Sequence, residues 1–280
     1  MRMENSMVRK SSKSALLAAS PWIITALAVV AMLLHGPILQ FAHYHDFADQ
    51  SVWMGIAHAM DVLSNIGFAL VAVAGVAALA KKIRQGDAGM SFTAYCVFVV
   101  ALMATSMGSS YYHLAPDDAR LFWDRLPIAL ACCSLLAAVR ADNLPGMDAR
   151  RAMTELIVLL LAGLASVLWW QYSGDLRPYL LIQVLNLVLI PVWQAMWGSA
   201  RSTRLLFGCA MLLYVFAKVT ELLDAEILHA LHIVSGHSLK HLLAAAAAGL
   251  IVLDLRPQRP DAMFLQRRRQ KIEGLRQSAS

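Results

Sequence analysis

Charged residues are scarce in this chain, and their scarcity argues against a soluble fold. Asp, Glu, Lys and Arg make up only 15% of the 280 residues, whereas 59% are hydrophobic. A soluble domain usually carries nearer a quarter charged residues. Cysteine is also rare, and the four cysteines lie in apolar segments without zinc-ligand spacing, which argues against a disulfide framework or a structural zinc site. No internal repeat, long loop or soluble domain is visible.

The hydrophobic residues occur in continuous blocks of about twenty, the length needed to cross about 30 Å of hydrocarbon. Continuous blocks favour helices over a membrane β-barrel, in which apolar and polar residues would alternate. The sequence therefore predicts an all-α fold, a polytopic membrane helical bundle with eight spans. Their approximate positions are 22–40, 56–80, 92–112, 124–141, 152–171, 178–197, 203–224 and 235–254.

Basic residues are concentrated in alternate loops, which sets the predicted orientation. With eight spans, the positive-inside rule places both termini in the cytoplasm. The net charge of +6 is accordingly attributed to topology and anionic headgroups, and not to nucleic-acid binding. The loops richer in base contain Lys81, Lys82, Arg84, Arg140, Arg150, Arg151, Arg201 and Arg204.

This orientation divides the chain into four predicted regions. Residues 1–21 form a cytoplasmic segment, 22–40 an extra transmembrane helix, 44–255 a seven-helix core and 256–280 a basic cytoplasmic tail. The first span is interpreted as an anchor, since no small-residue cleavage site follows its long apolar run. The predicted location is a bacterial inner membrane.

Polar side chains within spans are costly and mark candidate functional sites. His237 and His241 lie four residues apart near the start of the last span, and His113 lies at the end of the third. Two histidines at i and i+4 share one helix face and can bind one metal ion, and a third leaves the fourth zinc position open for water. An interhelical hydrogen bond is the alternative reading of His237 and His241.

Two further polar residues are predicted at the same membrane depth. Ser109 precedes His113 by one helical turn, and Asp124 is placed at the start of the fourth span. Ser109 is a candidate for stabilising an oxyanion, and Asp124 for transferring a proton between water and a leaving amine. Asp124 and Arg125 could instead form an interfacial ion pair. The neighbouring Asp117 and Asp118 are expected to be loop residues only.

The segment "GSSYYHLAPDDARLFWDRLPIAL", followed by "SGHSLKHLLAA", resembles the alkaline ceramidase family and its bacterial relatives. This family belongs to a wider group of seven-helix membrane hydrolases that includes the adiponectin-receptor-like proteins. Its spaced motif is matched by Ser109, His113, Asp124, His237 and His241, and "DVLSNIGFAL" resembles its first core helix. The similarity covers roughly residues 44–255.

The resemblance implies zinc bound by His113, His237 and His241, with Ser109 and Asp124 serving in the site. The implied activity is hydrolysis of the amide of a ceramide or related N-acyl lipid, with a membrane lipid as the partner. The acidic calcium site of the eukaryotic ceramidases has no clear counterpart, although Asp46 and Asp49 lie nearby. Calcium dependence is therefore left open, and no protein partner is evident.

Other polar residues in the spans are assigned supporting roles. Lys218 and Glu221 are expected to neutralise each other, with Asp224 one turn further. Lys240, between the two histidines of the last span, is expected to face away from them and to meet Glu221, Asp224 or a lipid phosphate. A further pair, Asp61 and Asn65, either supports a zinc ligand or bonds between helices.

Two other function classes remain compatible with these features. A receptor-like protein of the same fold would sense a lipid with the same zinc site. A proton-coupled transporter would use the intramembrane histidines and the Lys–Glu pair as a relay.

Overall fold

The computed structural model describes residues 2–255, with side chains from residue 19 onward. The predicted tail at 256–280 lies outside the described residues. Ten helices and one small hairpin follow one another along the described chain. They are α1 (Arg2–His35), β1 (Val52–Trp53), β2 (Ile56–Ala57), α2 (Ala59–Ser64), α3 (Ile66–Arg84), α4 (Phe92–Leu114), α5 (Asp118–Asn143), α6 (Ala149–Ser173), α7 (Arg177–Trp197), α8 (Arg201–Leu222), α9 (Asp224–Leu231) and α10 (Gly236–Asp254).

Seven spans in the described part of the chain are long and apolar enough to cross a membrane: α2 with α3, then α4 to α8, and α10. This confirms a polytopic helical membrane bundle. The extra span predicted at 22–40 is not confirmed, because the apolar part of α1, Ala19–His35, is shorter than a full span. Helix α1 packs against α7.

Six helices form a closed ring. Going round it, α3 packs against α4, α4 against α5, α5 against α7, α7 against α8, α8 against α10, and α10 against α3. Helix α6 lies outside the ring against α5 and α7. Small residues on the inner helices, including Ala72, Ala101, Ala138 and Ala248, are buried and let the backbones approach closely.

The predicted second span is divided by a break. Residues 56 and 57 belong to the hairpin instead of a helix, and α2 ends at Ser64 before α3 begins at Ile66. Asn65 lies at the break, and its side-chain Nδ2 donates to the carbonyl of Asp61 at 2.9 Å. Short polar side chains such as Ser and Asn compete for backbone groups in this way and interrupt helices.

Two other spans have helix ends that differ from the approximate positions predicted. Helix α5 begins at Asp118 and not at Asp124, because Asp117 acts as its N-cap and accepts from the backbone N–H of Arg120 at 2.7 Å. Asp124 therefore lies between one and two turns inside the helix. At the seventh span, α8 ends at Leu222, and Asp224 opens the separate short helix α9.

Helices α4 and α5 approach most closely beside the candidate site. A Cβ atom at Gly108 would lie 2.0 Å from the carbonyl oxygen of Trp123. Only glycine fits at this contact, and it brings Ser109 of α4 alongside Asp124 of α5.

We expect Gly108→Ala to lower the melting temperature of the detergent-solubilised protein. The added methyl must force the two backbones apart, and overpacking of this kind costs about 1–3 kcal/mol. Gly208→Ala on α8 is the matched control, because nothing lies within 4 Å of the added Cβ atom. Equal melting temperatures for the two variants would contradict the tight contact.

Candidate metal centre

Three histidines from two helices converge inside the bundle. His113 comes from the end of α4, and His237 and His241 from the first turns of α10. Their exposed fractions are 0%, 4% and 3%. One nitrogen from each ring can be chosen so that all three lie within 4.8 Å of one another. This cluster could bind a metal ion.

The start of α10 is held in place by its neighbours. A Cβ atom at Gly236 would lie 2.2 Å from the carbonyl oxygen of Thr220, so the first turn of α10 sits directly against the end of α8. Ser235 is the N-cap of α10 and accepts from the backbone N–H of Ser238 at 2.9 Å. The backbone N–H of His237 donates to Asp224 Oδ1 at 2.7 Å.

The hydrogen bonds of His241 define which of its nitrogens is available. Ser64 donates its hydroxyl proton to the carbonyl of Asp61 at 2.9 Å, and the Ser64 oxygen lies 2.8 Å from His241 Nδ1. Ser64 therefore accepts a hydrogen bond from the protonated Nδ1, which leaves the lone pair on Nε2 free for a metal. The Nε2 atom is directed into the cluster and lies 3.5 Å from the hydroxyl of Ser109.

His113 is the least satisfied of the three. It is fully buried, and neither ring nitrogen has a hydrogen-bond partner among the described residues. A buried polar group without a partner is costly, and a coordinated cation would remove that cost. Phe47, from the loop after α1, closes the cluster, with its ring centroid 4.5 Å from those of both His113 and His237.

Lys240 does not face away from the histidines, as the sequence suggested. Its Nζ lies 3.0 Å from His237 Nε2 and 2.8 Å from Glu221 Oε1. Glu221 also pairs with Lys218, at 3.0 Å, as expected from their spacing. Because Lys240 is three residues from His237, its long side chain folds back along the helix toward that ring. Glu221 thus holds both lysines at the edge of the cluster.

Asp61 and Asn65 lie beside the α2–α3 break, and Asp61 ties this region to the last span. The Asp61 carboxylate accepts from the hydroxyls of Ser235 and Ser238, at 3.0 and 2.6 Å, and so ties α2 to α10. Its link to a histidine runs through its backbone carbonyl and Ser64, and not through the carboxylate. Asn65 has no hydrogen bond to the three histidines in the described structure.

Two further acids near the site, Asp224 at the start of α9 and Asp49 in the loop before the hairpin, accept hydrogen bonds from the backbone. Asp224 accepts from the backbone N–H of Ala48 as well as that of His237. Asp49 accepts from the backbone N–H groups of Ser51, Met60 and Asp61. Burial raises the pKa of Asp49, but the hydrogen bonds outweigh it and hold that pKa below its ordinary value. Asp49 thus serves as a charged cap for α2.

The acids considered for calcium do not assemble into a cation site. Asp46 pairs with the exposed His43 at 2.9 Å, while the oxygens of Asp49 face the backbone. In the described part of the chain, the three histidines are the one group of three or more metal-ligand side chains that converge.

Ser109 and Asp124 lie beside the histidines. Ser109 is 2% exposed and Asp124 6%. Both line an internal cavity that also reaches His241. The structure therefore brings together all five residues of the predicted motif at one end of the bundle, which we call the histidine end.

The cavity has a volume of about 190 Å³ and is lined by side chains from all six helices of the ring, together with Tyr44. Its wall is mostly apolar, and from His241 it extends to Ile251 near the other end of α10. Ten helical residues correspond to about 15 Å. Phe207 and Ile190 line the far end, so a polar site at one end continues into a long apolar chamber.

Sequence reasoning missed several residues that position the histidines. Nothing in the sequence indicated that Phe47 contacts the histidines, since it lies in a polar loop. Ser64 lies within the segment "DVLSNIGFAL", and its place one turn from Asp61 on a broken helix puts it beside α10. Comparisons of the chain with protein-family models and with curated proteins give no match. The resemblance to alkaline ceramidases therefore depends on the five spaced residues and the helices that carry them.

We expect the wild-type protein to bind zinc and His237→Ala to lose it, because the substitution removes one of the three imidazoles. His229→Ala, in the exposed helix α9, is the matched control and should keep the wild-type zinc content. The measurement is elemental analysis of protein purified from zinc-supplemented cells. Full zinc content in His237→Ala would show that His237 is not a ligand.

Ser64→Ala tests the support of His241. The substitution removes the acceptor that fixes the Nδ1 proton, and loss of such a supporting bond typically weakens metal affinity 10- to 100-fold. Competition with a coloured chelator measures this affinity. Ser110→Ala is the control, since its hydroxyl donates to Val62 O at 3.2 Å and has no histidine contact. Equal affinities in the two variants would contradict the role of Ser64.

Proposed function

We propose that this chain is a zinc-dependent membrane hydrolase that cleaves the amide bond of a ceramide or related N-acyl lipid. The observation that carries the proposal is the position of a three-histidine cluster, with Ser109 and Asp124, at the polar end of an apolar cavity. The proposed location is a bacterial inner membrane, with the histidine end on the periplasmic side.

The residues fit zinc by type and surroundings. Three neutral imidazoles are a common zinc ligand set, and with three protein ligands the fourth position stays open to water or substrate. The unpartnered nitrogens of His113 and the oriented Nε2 of His241 favour a bound cation. When bound, zinc supplies Lewis acidity and lowers the pKa of coordinated water to about 7.

Asp124 and Ser109 divide the remaining chemistry. In amide hydrolysis the water oxygen forms a bond to the carbonyl carbon and the carbon–nitrogen bond breaks. Asp124 accepts the proton from water and returns it to the departing amine nitrogen. Ser109 donates a hydrogen bond, either to the carbonyl oxygen or to the Asp124 carboxylate, and so orients both groups. The products are a free fatty acid and an amine.

The apolar chamber suits a lipid acyl chain. Its wall near the far end is formed by side chains such as Phe207, Ile190 and Ile251. A chain lying there would place its amide next to His241, Ser109 and Asp124. Such a substrate already resides in the bilayer, which explains why the polar site lies within a membrane bundle.

We expect Asp124→Asn to reduce fatty-acid release from the preferred N-acyl lipid by at least about 100-fold, since general acid–base groups contribute about 10²–10⁴-fold. Its zinc content should remain at the wild-type level. Asp118→Asn, an exposed carboxylate on the same helix, is the control and should retain activity. Liquid chromatography of released fatty acid from detergent-solubilised protein provides the measurement.

The same assays separate the alternatives. A panel of ceramides and other N-acyl lipids that yields no fatty acid from zinc-loaded protein would contradict the hydrolase. Lipid binding without release would then favour the receptor-like protein. Proton-linked flux in liposomes without bound zinc would favour the transporter.

A further inference from the structure

Arg125 is a charged side chain that the reaction described above does not use. It follows Asp124 on α5, is 3% exposed, and lines the cavity together with Ser109 and His241. It has no ion pair with a carboxylate in the described part of the chain, and its Nη1 atom is buried without a hydrogen-bond partner there. Arginines buried without an ion pair are rare in proteins, because burying an unpaired charge is costly.

Aromatic rings hold the Arg125 guanidinium in place. Its central carbon lies 3.9 Å from the ring centroid of Trp170, 5.1 Å from that of Tyr44 and 5.7 Å from that of Tyr179. Stacking on an aromatic face stabilises the cation. The N–H groups of a guanidinium lie in its plane and form a fork that matches a carboxylate or phosphate. Stacking therefore fixes the side chain and leaves donors at its edge.

The rest of the cavity does not neutralise Arg125. The cavity is lined by three basic residues, Arg125, Lys218 and Lys240, and by two acidic residues, Asp124 and Glu221. Glu221 is bonded to both lysines, at 3.0 and 2.8 Å, and so is already engaged. One positive charge remains in excess before any metal is counted, so the cavity favours an anionic ligand.

We propose that Arg125 binds an anionic group on the amine side of the substrate. The preferred substrate is then an N-acyl lipid whose amine portion carries a carboxylate or phosphate, such as an N-acyl amino acid, and not a neutral ceramide. This inference rests on the proposed amide hydrolysis for the reaction but on Arg125 and its surroundings for the choice of substrate.

The placement of Arg125 agrees with the orientation of such a lipid. Trp170 lies near the end of α6, Tyr179 near the start of α7 and Tyr44 in the loop before the hairpin, all at the histidine end. The apolar chamber extends from there toward the other end of the bundle. The charged portion would thus point to the membrane surface while the acyl chain points inward.

Two matched substrates test the proposal. N-dodecanoylglycine carries a carboxylate, whereas N-dodecanoylethanolamine has the same acyl chain and no charge. We expect the wild-type protein to have the higher kcat/KM for the glycine conjugate. Arg125→Gln should lower the kcat/KM for the glycine conjugate by about 30-fold or more, because it removes one partner of a buried charge pair. Its kcat/KM for the ethanolamide should change by less than about 3-fold.

Two variants show whether the effect is specific. Arg120→Gln, an arginine on the same helix that is bonded to Asp117, should keep the wild-type preference. Arg125→Lys retains the charge but not the planar fork, and should recover part of the activity on the glycine conjugate. An equal loss on both substrates in Arg125→Gln would assign Arg125 a structural role and overturn the proposal.

A binding measurement separates this proposal from the hydrolase itself. In the probe a methylene replaces the amide nitrogen of N-dodecanoylglycine, giving a keto acid that cannot be cleaved at that bond. We expect the wild-type protein to bind it at least about 30-fold more tightly than the matched keto alcohol, by equilibrium binding in detergent. That preference without hydrolysis of any amide would reject the hydrolase and keep the anion site. Equal binding of the two probes by the wild-type protein would reject the anion site, even if Arg125→Gln failed to fold.

Discussion

Polar groups buried in the apolar interior of a membrane bundle must find partners within the protein, and this requirement shapes the histidine end. His241 bonds to Ser64, the backbone of His237 to Asp224, and Asp61 to the two serines at the start of α10. Of the three histidines, only His113 has no partner for either ring nitrogen among the described residues. The ring nitrogens of His113 thus lack hydrogen-bond partners at the point where the three imidazoles converge. A bound cation would give one of these nitrogens a partner, and this is the physical reason to expect a cation there.

The break between α2 and α3 is part of the same network. At the break, the carbonyls of Val62 and Asn65 accept from Ser110 and Ser106 of α4, at 3.2 and 2.8 Å, in addition to their local backbone hydrogen bonds. The carbonyl of Asp61 accepts from Ser64, which in turn contacts His241. One interruption therefore connects three helices of the ring and orients a candidate metal ligand.

The sequence predicted the class of fold and the motif residues because both follow from local patterns. Apolar blocks of membrane length define spans, and i, i+4 spacing places Ser109 with His113 and His237 with His241. Contacts that depend on tertiary packing could not be predicted in this way. Lys240 was expected to face away, yet the position of Glu221 on α8 and the length of the lysine chain bring it to His237. The boundary at Asp124 was wrong because Asp117 caps the helix directly after Pro116, a proline that could as easily have marked a longer loop.

The candidate ligands are widely separated along the chain, and this separation has a consequence for biosynthesis. His113 belongs to the second of the described spans, whereas His237 and His241 belong to the last. Since membrane helices are made from the N-terminus onward, His113 enters the bilayer before either of its partners exists. Helix α10 closes the ring between α3 and α8 and completes the histidine cluster in one event. A metal ion that needs all three histidines can therefore be bound only at the end of assembly, once the last span is in place.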